Sequence, residues 1–127
     1  MDRDPDLNIV GGALTICSEA PLTGFYRDGC CGTGPEDVGS HTVCSVMTAD
    51  FLAFSAIAGN DLSTPRPAYG FAGLVAGDRW CLCAERWLEA YRAGCAPQVV
   101  LGATHERATD VVPVEYLIAH AAGSDPG

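Results

Sequence analysis

The chain is short of positive charge. Seven Arg and Lys stand against sixteen Asp and Glu, for a formal net charge of −9. Such a field repels phosphate backbones and anionic lipid headgroups, so neither nucleic acid nor a membrane surface is an expected partner. Long apolar runs are also missing, because the richest windows, Phe51 to Ala58 and Leu117 to Ala122, fall far short of the ~20 residues that cross a bilayer. The start, Met1 to Asp6, is acidic and lacks the basic patch and apolar stretch of an export signal, so a cytoplasmic setting with reduced thiols is expected. No internal repeat or low-complexity tract divides the chain.

Several catalytic signatures are absent as well. There is no G-x-S-x-G elbow, no P-loop and no G-x-G-x-x-G turn between a strand and a helix. Gly32-Thr-Gly34 leads into Glu36 and Asp37, which would repel phosphate. His105-Glu106 begins like a zinc-protease helix, but Thr109 stands where the second histidine is needed.

What remains is a chain of 127 residues, 48% apolar, with 15 Gly, 8 Pro and 7 Cys. That length supports one core without further help. The pattern predicts a single α+β domain over 8–122, with short strands, about three helices and long Gly/Pro-rich loops. Segments 1–7 and 123–127 are expected to be a disordered acidic terminus and a flexible tail. Residues 9–45 read as brief strands joined by glycine turns. A helix is expected from Ala49 to Ala58, capped by Thr48 and stopped at Gly59, with Phe51, Leu52, Phe54 and Ile57 facing inward. Leu62 to Leu74, with two prolines and two glycines, suits a long irregular excursion. Arg79 to Cys83 reads as a strand, Ala84 to Ala93 as a helix with Trp87, Leu88 and Tyr91 on its apolar side, and Val99 to Leu101 as a further strand. A last helix is expected near Pro113 to Ala121, with the proline in the tolerated first turn.

The cysteines lie at 17, 30, 31, 44, 81, 83 and 95. Their odd number and the missing export signal argue against a disulfide scaffold. If Cys81 and Cys83 lie on a strand, both sulfurs share a face while Trp80 and Leu82 take the other. Cys30-Cys31 could add a third and fourth thiolate, and four sulfurs, or three with His41, would suit Zn²⁺. Against this, common zinc sites use C-x2-C spacing, and free cysteine is often buried as a small hydrophobe. Redox or nucleophilic use of the thiols is the third reading. His41 and Cys44 would point to opposite faces of a strand and meet only across a turn. A separate candidate pocket lies in the loops around Arg27-Asp28 and Asn60-Pro67, where Arg27, Asp28, Asn60, Asp61 and Arg66 could receive a small anion. Turn aspartates bonded to their own backbone are the alternative there.

Five blocks carry a family resemblance: Leu22-Thr-Gly-Phe-Tyr-Arg-Asp-Gly-Cys-Cys31, Gly39-Ser-His-Thr-Val-Cys-Ser-Val-Met-Thr48, Gly59-Asn-Asp-Leu-Ser-Thr-Pro-Arg-Pro67, Gly77-Asp-Arg-Trp-Cys-Leu-Cys83 and Val99-Val-Leu-Gly-Ala-Thr-His-Glu106. Over about residues 8–122 the chain resembles the domain of unknown function 2237 family. The resemblance implies a small, mostly bacterial protein and supplies no activity, cofactor or catalytic residue. Cys95 departs from the family's more usual apolar residue, and Ala72 and Ala76 from its proline and lysine. The sequence therefore leaves two readings of different kinds. One is a cysteine-rich domain that binds a metal, with zinc the ion its thiolates would suit, or acts through thiols. The other is a small-molecule binding module or minor enzyme with a loop-built pocket and structural cysteines.

Overall fold

β-Branched residues extend the chain at β1, His41–Val46, whose four middle residues are buried on both faces as the central strand of a three-stranded antiparallel sheet ordered β2-β1-β3. The computed structural model describes residues 6–122. β1 pairs along its length with β2, Arg79–Cys83, and only at its end with β3, Gln98–Val99. The register between β1 and β2 slips between His41 and Val43, so His41 faces Cys83, Val43 faces Leu82, and Cys44 faces Cys81. A bulge of this kind inserts one residue and re-aims the side chains beside it.

Three helices complete the α+β architecture: α1, Ala49–Ile57; α2, Ala84–Arg92; and α3, Val114–Ala119. Thr48 caps α1 as expected, its hydroxyl accepting from the Phe51 N–H at 3.0 Å. β2 runs directly into α2, with Cys83 as both last strand residue and N-cap. Short 3₁₀ turns occupy Pro67–Tyr69, Leu101–Ala103 and Glu106–Asp110.

The period of two divides the sheet chemically. Val43, Trp80 and Leu82 join Phe51, Trp87 and Leu117 in the main core, against the helices. Cys44 and Cys81 fall into a second cluster with Cys17, Cys31 and Ala103, under loops. Trp87 is fully enclosed, and its indole N–H donates to the Pro97 carbonyl at 3.1 Å.

Four expectations need correction. The thiols are not all reduced: Cys17 bonds to Cys44 and Cys31 to Cys81, because two loops lay their cysteines over neighbouring strand cysteines at Cα separations of 5.7 and 5.2 Å. Ile57 is 88% exposed. The inner place in the last turn of α1 goes instead to Ser55, whose hydroxyl donates to the Asn60 carbonyl at 2.6 Å. Between residues 9 and 40 the glycine-rich chain forms isolated bridges and turns in place of brief strands. The third strand is Gln98–Val99, since the chain turns into a 3₁₀ helix at Leu101.

Of the expected acidic terminus, residues 1–5 lie outside the described residues, as does the tail 123–127. Asp6 and Leu7 are placed: Leu7 accepts from the Glu106 N–H at 2.9 Å, and Asp6 lies 3.1 Å from the ring of His105. His105, once the head of a candidate zinc helix, thus ties the start of the chain to the 3₁₀ turn that it caps.

Candidate functional site

The bulge gives His41 a partner that strand periodicity does not reveal. The two residues opposed across the end of the β1–β2 ladder are His41 and Cys83, not His41 and Cys44. Gly39 explains how closely they approach: a Cβ there would stand 3.0 Å from the His41 ring carbon Cε1 and 3.5 Å from the Cys83 sulfur. Glycine leaves that space to the imidazole and the thiol.

Behind the imidazole sits Asp37. Its side chain is fully buried, and Oδ1 lies 2.6 Å from His41 Nδ1. Oδ2 accepts from the His41 backbone N–H at 2.8 Å and from the Thr33 hydroxyl at 3.0 Å. Burial works against the charge on this carboxylate, but the hydrogen bonds from His41 and Thr33 outweigh it and hold the pKa below the ordinary 3.8. An ionised Asp37 can only accept, so it keeps a proton on Nδ1 and leaves Nε2 as the acceptor. Phe25 stacks on the outer face of the ring, with centroids 6.1 Å apart.

Cys83 is a half-buried free thiol at the N-cap of α2, and no side chain caps the first turn of that helix. The Ala84 N–H donates to the Ser40 carbonyl at 3.0 Å, and the rest of the first turn and the helix dipole favour negative charge at this point. His41, Cys83, Asn60 and Arg86 line a cleft of about 200 Å³, and His41, Leu62 and Trp80 continue into a neighbouring one of about 410 Å³ with Phe25 and Arg27. The Arg27 guanidinium lies 5.2 Å from the centre of a Trp80 ring and donates to the Gly24 carbonyl at 2.8 Å. Among the described residues no carboxylate pairs with it. Arg86 donates to the Ala58 carbonyl and to Glu89, both at 3.2 Å.

Among the described residues two that are not glycine adopt left-handed backbone, Arg27 at φ 54°, which lines this groove, and Ser40 at φ 52°, which lines a separate cleft with Asp37 and Arg107. Such a conformation costs roughly 1–2 kcal/mol per residue, and it concentrates where a surrounding site holds it in place.

The remaining candidates separate into different places. Cys31, Cys44 and Cys81 enter the two disulfides, while Cys30 and Cys83 stay out of them. Cys30 donates its backbone N–H to Asp28 at 3.0 Å. Asp61 accepts from the Ser63 and Thr64 N–H groups and from the Thr64 hydroxyl, which holds its pKa down, and so serves its own turn. Arg66 pairs through its backbone with Phe71. Of the proposed loop pocket, Arg27 and Asn60 border the groove. Asp37 and Gly39 escaped the sequence reading, although an acid four residues before a histidine was there to be noticed.

A family model described as uncharacterized proteins conserved in bacteria (DUF2237) matches residues 7–121. The chain belongs to this family. The match takes in every residue of the groove and both disulfides. No curated protein matches the chain. Among the described residues no helix is long and apolar enough to cross a membrane.

Proposed function

We propose that the chain is a thiol-dependent enzyme in which Cys83 attacks the acyl carbon of a small anionic substrate. The observation that carries this reading is the line Asp37, His41, Cys83: a buried ionised carboxylate orients an imidazole whose cross-strand neighbour is a free thiol. That is the arrangement of orienter, base and nucleophile that activates a weak nucleophile. The Cys83 S–H proton passes to His41 Nε2 as sulfur bonds to the acyl carbon. The leaving group then departs with that proton, and water cleaves the thioester with His41 again as base. With the Ala84 N–H held by the Ser40 carbonyl, the next N–H groups of the first turn of α2, those of Glu85 and Arg86, are the donors for the developing oxyanion. Arg27 and Arg86 flank the groove and favour a substrate that carries a carboxylate or phosphate.

The test is selective alkylation followed by acyl trapping. With substoichiometric iodoacetamide at neutral pH, Cys83 should be modified before Cys95, whose thiol is kept protonated by burial and by the charge of Asp50. A carboxylate-bearing activated ester should leave its acyl group on Cys83 in the wild type and not in Cys83→Ser. Equal alkylation of Cys83 and Cys95, with no acyl adduct, sinks the proposal.

A second reading, binding without chemistry, is favoured by one observation: Arg27 lies over Trp80 with no carboxylate partner among the described residues. Stabilisation by a small carboxylate that disappears in Arg27→Ala but survives Cys83→Ser would select it.

A further inference from the structure

The two disulfides do not lie apart. The sulfurs of Cys17, Cys31 and Cys81, drawn from both bonds, are all within 4.8 Å of one another and all buried. Cys44, the bonded partner of Cys17, is the cross-strand neighbour of Cys81. Two sulfurs therefore stand side by side on the sheet, and two loops bring the others over them. Ala103 and Val100 pack against this cluster.

In a tetrahedral thiolate site with metal–sulfur bonds of about 2.3 Å, the sulfurs lie about 3.8 Å apart. Three of these four already sit within reach of that spacing, in a chamber fixed by backbone groups rather than by the S–S bonds alone. The Cys44 N–H donates to the Thr104 hydroxyl at 3.1 Å, and the Cys81 N–H to the Thr23 hydroxyl at 2.8 Å. The Cys17 N–H donates to the Gly29 carbonyl at 2.8 Å.

We propose that Cys17, Cys31, Cys44 and Cys81 form a redox-gated zinc site, closed to metal while both disulfides are intact and opened by their reduction. A dithiol reductant supplies the electrons. Each disulfide takes up two electrons and two protons, giving two thiols, as the reductant becomes its own disulfide. Zn²⁺ then displaces the thiol protons as the sulfurs close on it, so metal uptake releases protons to solvent. Cys81 also lines the cleft that holds His41, which gives reductant and metal a route to the cluster. This set differs from the one that sequence spacing suggests, since it takes in Cys17 and leaves out Cys30, Cys83 and His41. It stands independently of the reading of Cys83. It also accommodates both oxidising and reducing surroundings, because one set of residues staples the loops in either state.

The experiment is zinc titration of the oxidised and the dithiol-reduced chain, with mass spectrometry of the metal-loaded protein and alkylation mapping of each cysteine. One Zn²⁺ per reduced chain is expected, none on the oxidised chain, and zinc should protect Cys17, Cys31, Cys44 and Cys81 while Cys95 stays unprotected. Cys95→Ser should bind as the wild type does, and Cys17→Ser/Cys81→Ser should lose stoichiometric binding. Protection mapping on the unaltered chain answers the case in which the double variant fails to fold. No zinc on the reduced chain, equal binding by the oxidised chain, or protection falling on Cys30 and Cys83 would each overturn the proposal.

Discussion

The two faces of the sheet are held by different physics. On one, Val43, Trp80 and Leu82 meet α1, α2 and α3, and stability comes from apolar area removed from water. On the other, among the described residues no α-helix packs on Cys44 and Cys81; loops and the 3₁₀ turn that holds Ala103 lie over them, stapled by two covalent bonds. A helix buries a wide apolar stripe with its backbone bonds satisfied internally, whereas a glycine-rich loop offers little area and keeps its chain entropy until something ties it down. The groove opens at the edge between the two faces, taking Trp80 and Leu82 from the helix-covered face and Cys81 from the other, with Phe25, Arg27 and Asn60 on loops, which fits the tendency of binding residues to sit on loops positioned by a rigid frame.

The sharpest way to break this contrast is to cut the staples. Loop-closure entropy assigns about 4 kcal/mol to Cys31–Cys81, with its separation of 50 residues, and about 3.5 kcal/mol to Cys17–Cys44, with 27. Cys31→Ser/Cys81→Ser should therefore lower the denaturation midpoint in metal-free oxidised protein, and hydrogen exchange should rise first around residues 15–35. Leu82→Ala, on the helix-covered face, should cost about 2–5 kcal/mol and loosen the helices instead. Coincident exchange patterns for the two variants would show that the faces do not behave as separate units.

Smaller effects sharpen the groove. Asp37→Asn should cost about 1.5–3 kcal/mol at neutral pH, since a buried charged acceptor loses its hydrogen bonds to His41 and Thr33. The sign follows from the lowered pKa of Asp37. Its contribution is complete above the ordinary value of 3.8 and is lost as pH falls through the lower folded-state value, so the two proteins should converge in acid in a denaturation series across that range. His41→Gln should slow alkylation of Cys83, read as the rate of iodoacetamide modification, by removing the base opposite the thiol. Thr48→Ala should cost about 1 kcal/mol, read from thermal unfolding, by removing the cap of α1.

Much of the frame was legible because local chemistry and tertiary packing agree. Thr48 and Gly59 mark the ends of α1, and Trp80 and Leu82 alternate with Cys81 as a strand requires. The misreadings share one cause, which is that pairing partners are chosen in three dimensions. Cys17 and Cys31 look like unrelated loop residues until β1 and β2 put Cys44 beside Cys81. His41 and Cys83 are 42 positions apart, and only a bulge, which leaves no mark in hydrophobic periodicity, sets them opposite each other. Ile57 failed for a plainer reason: hydrophobicity alone did not anticipate that a bonded Ser55 would take its place.

The junction at Cys83 trades stability against chemistry. Serine is among the preferred residues at a helix N-cap, because its hydroxyl bonds back to the first turn, and here that position holds a cysteine that makes no such bond. Cys83→Ser should melt later than the wild type, by the equivalent of about 0.5–1 kcal/mol, while losing the thiol. A thiol where serine would make the sturdier helix start trades robustness for reactivity at this one position.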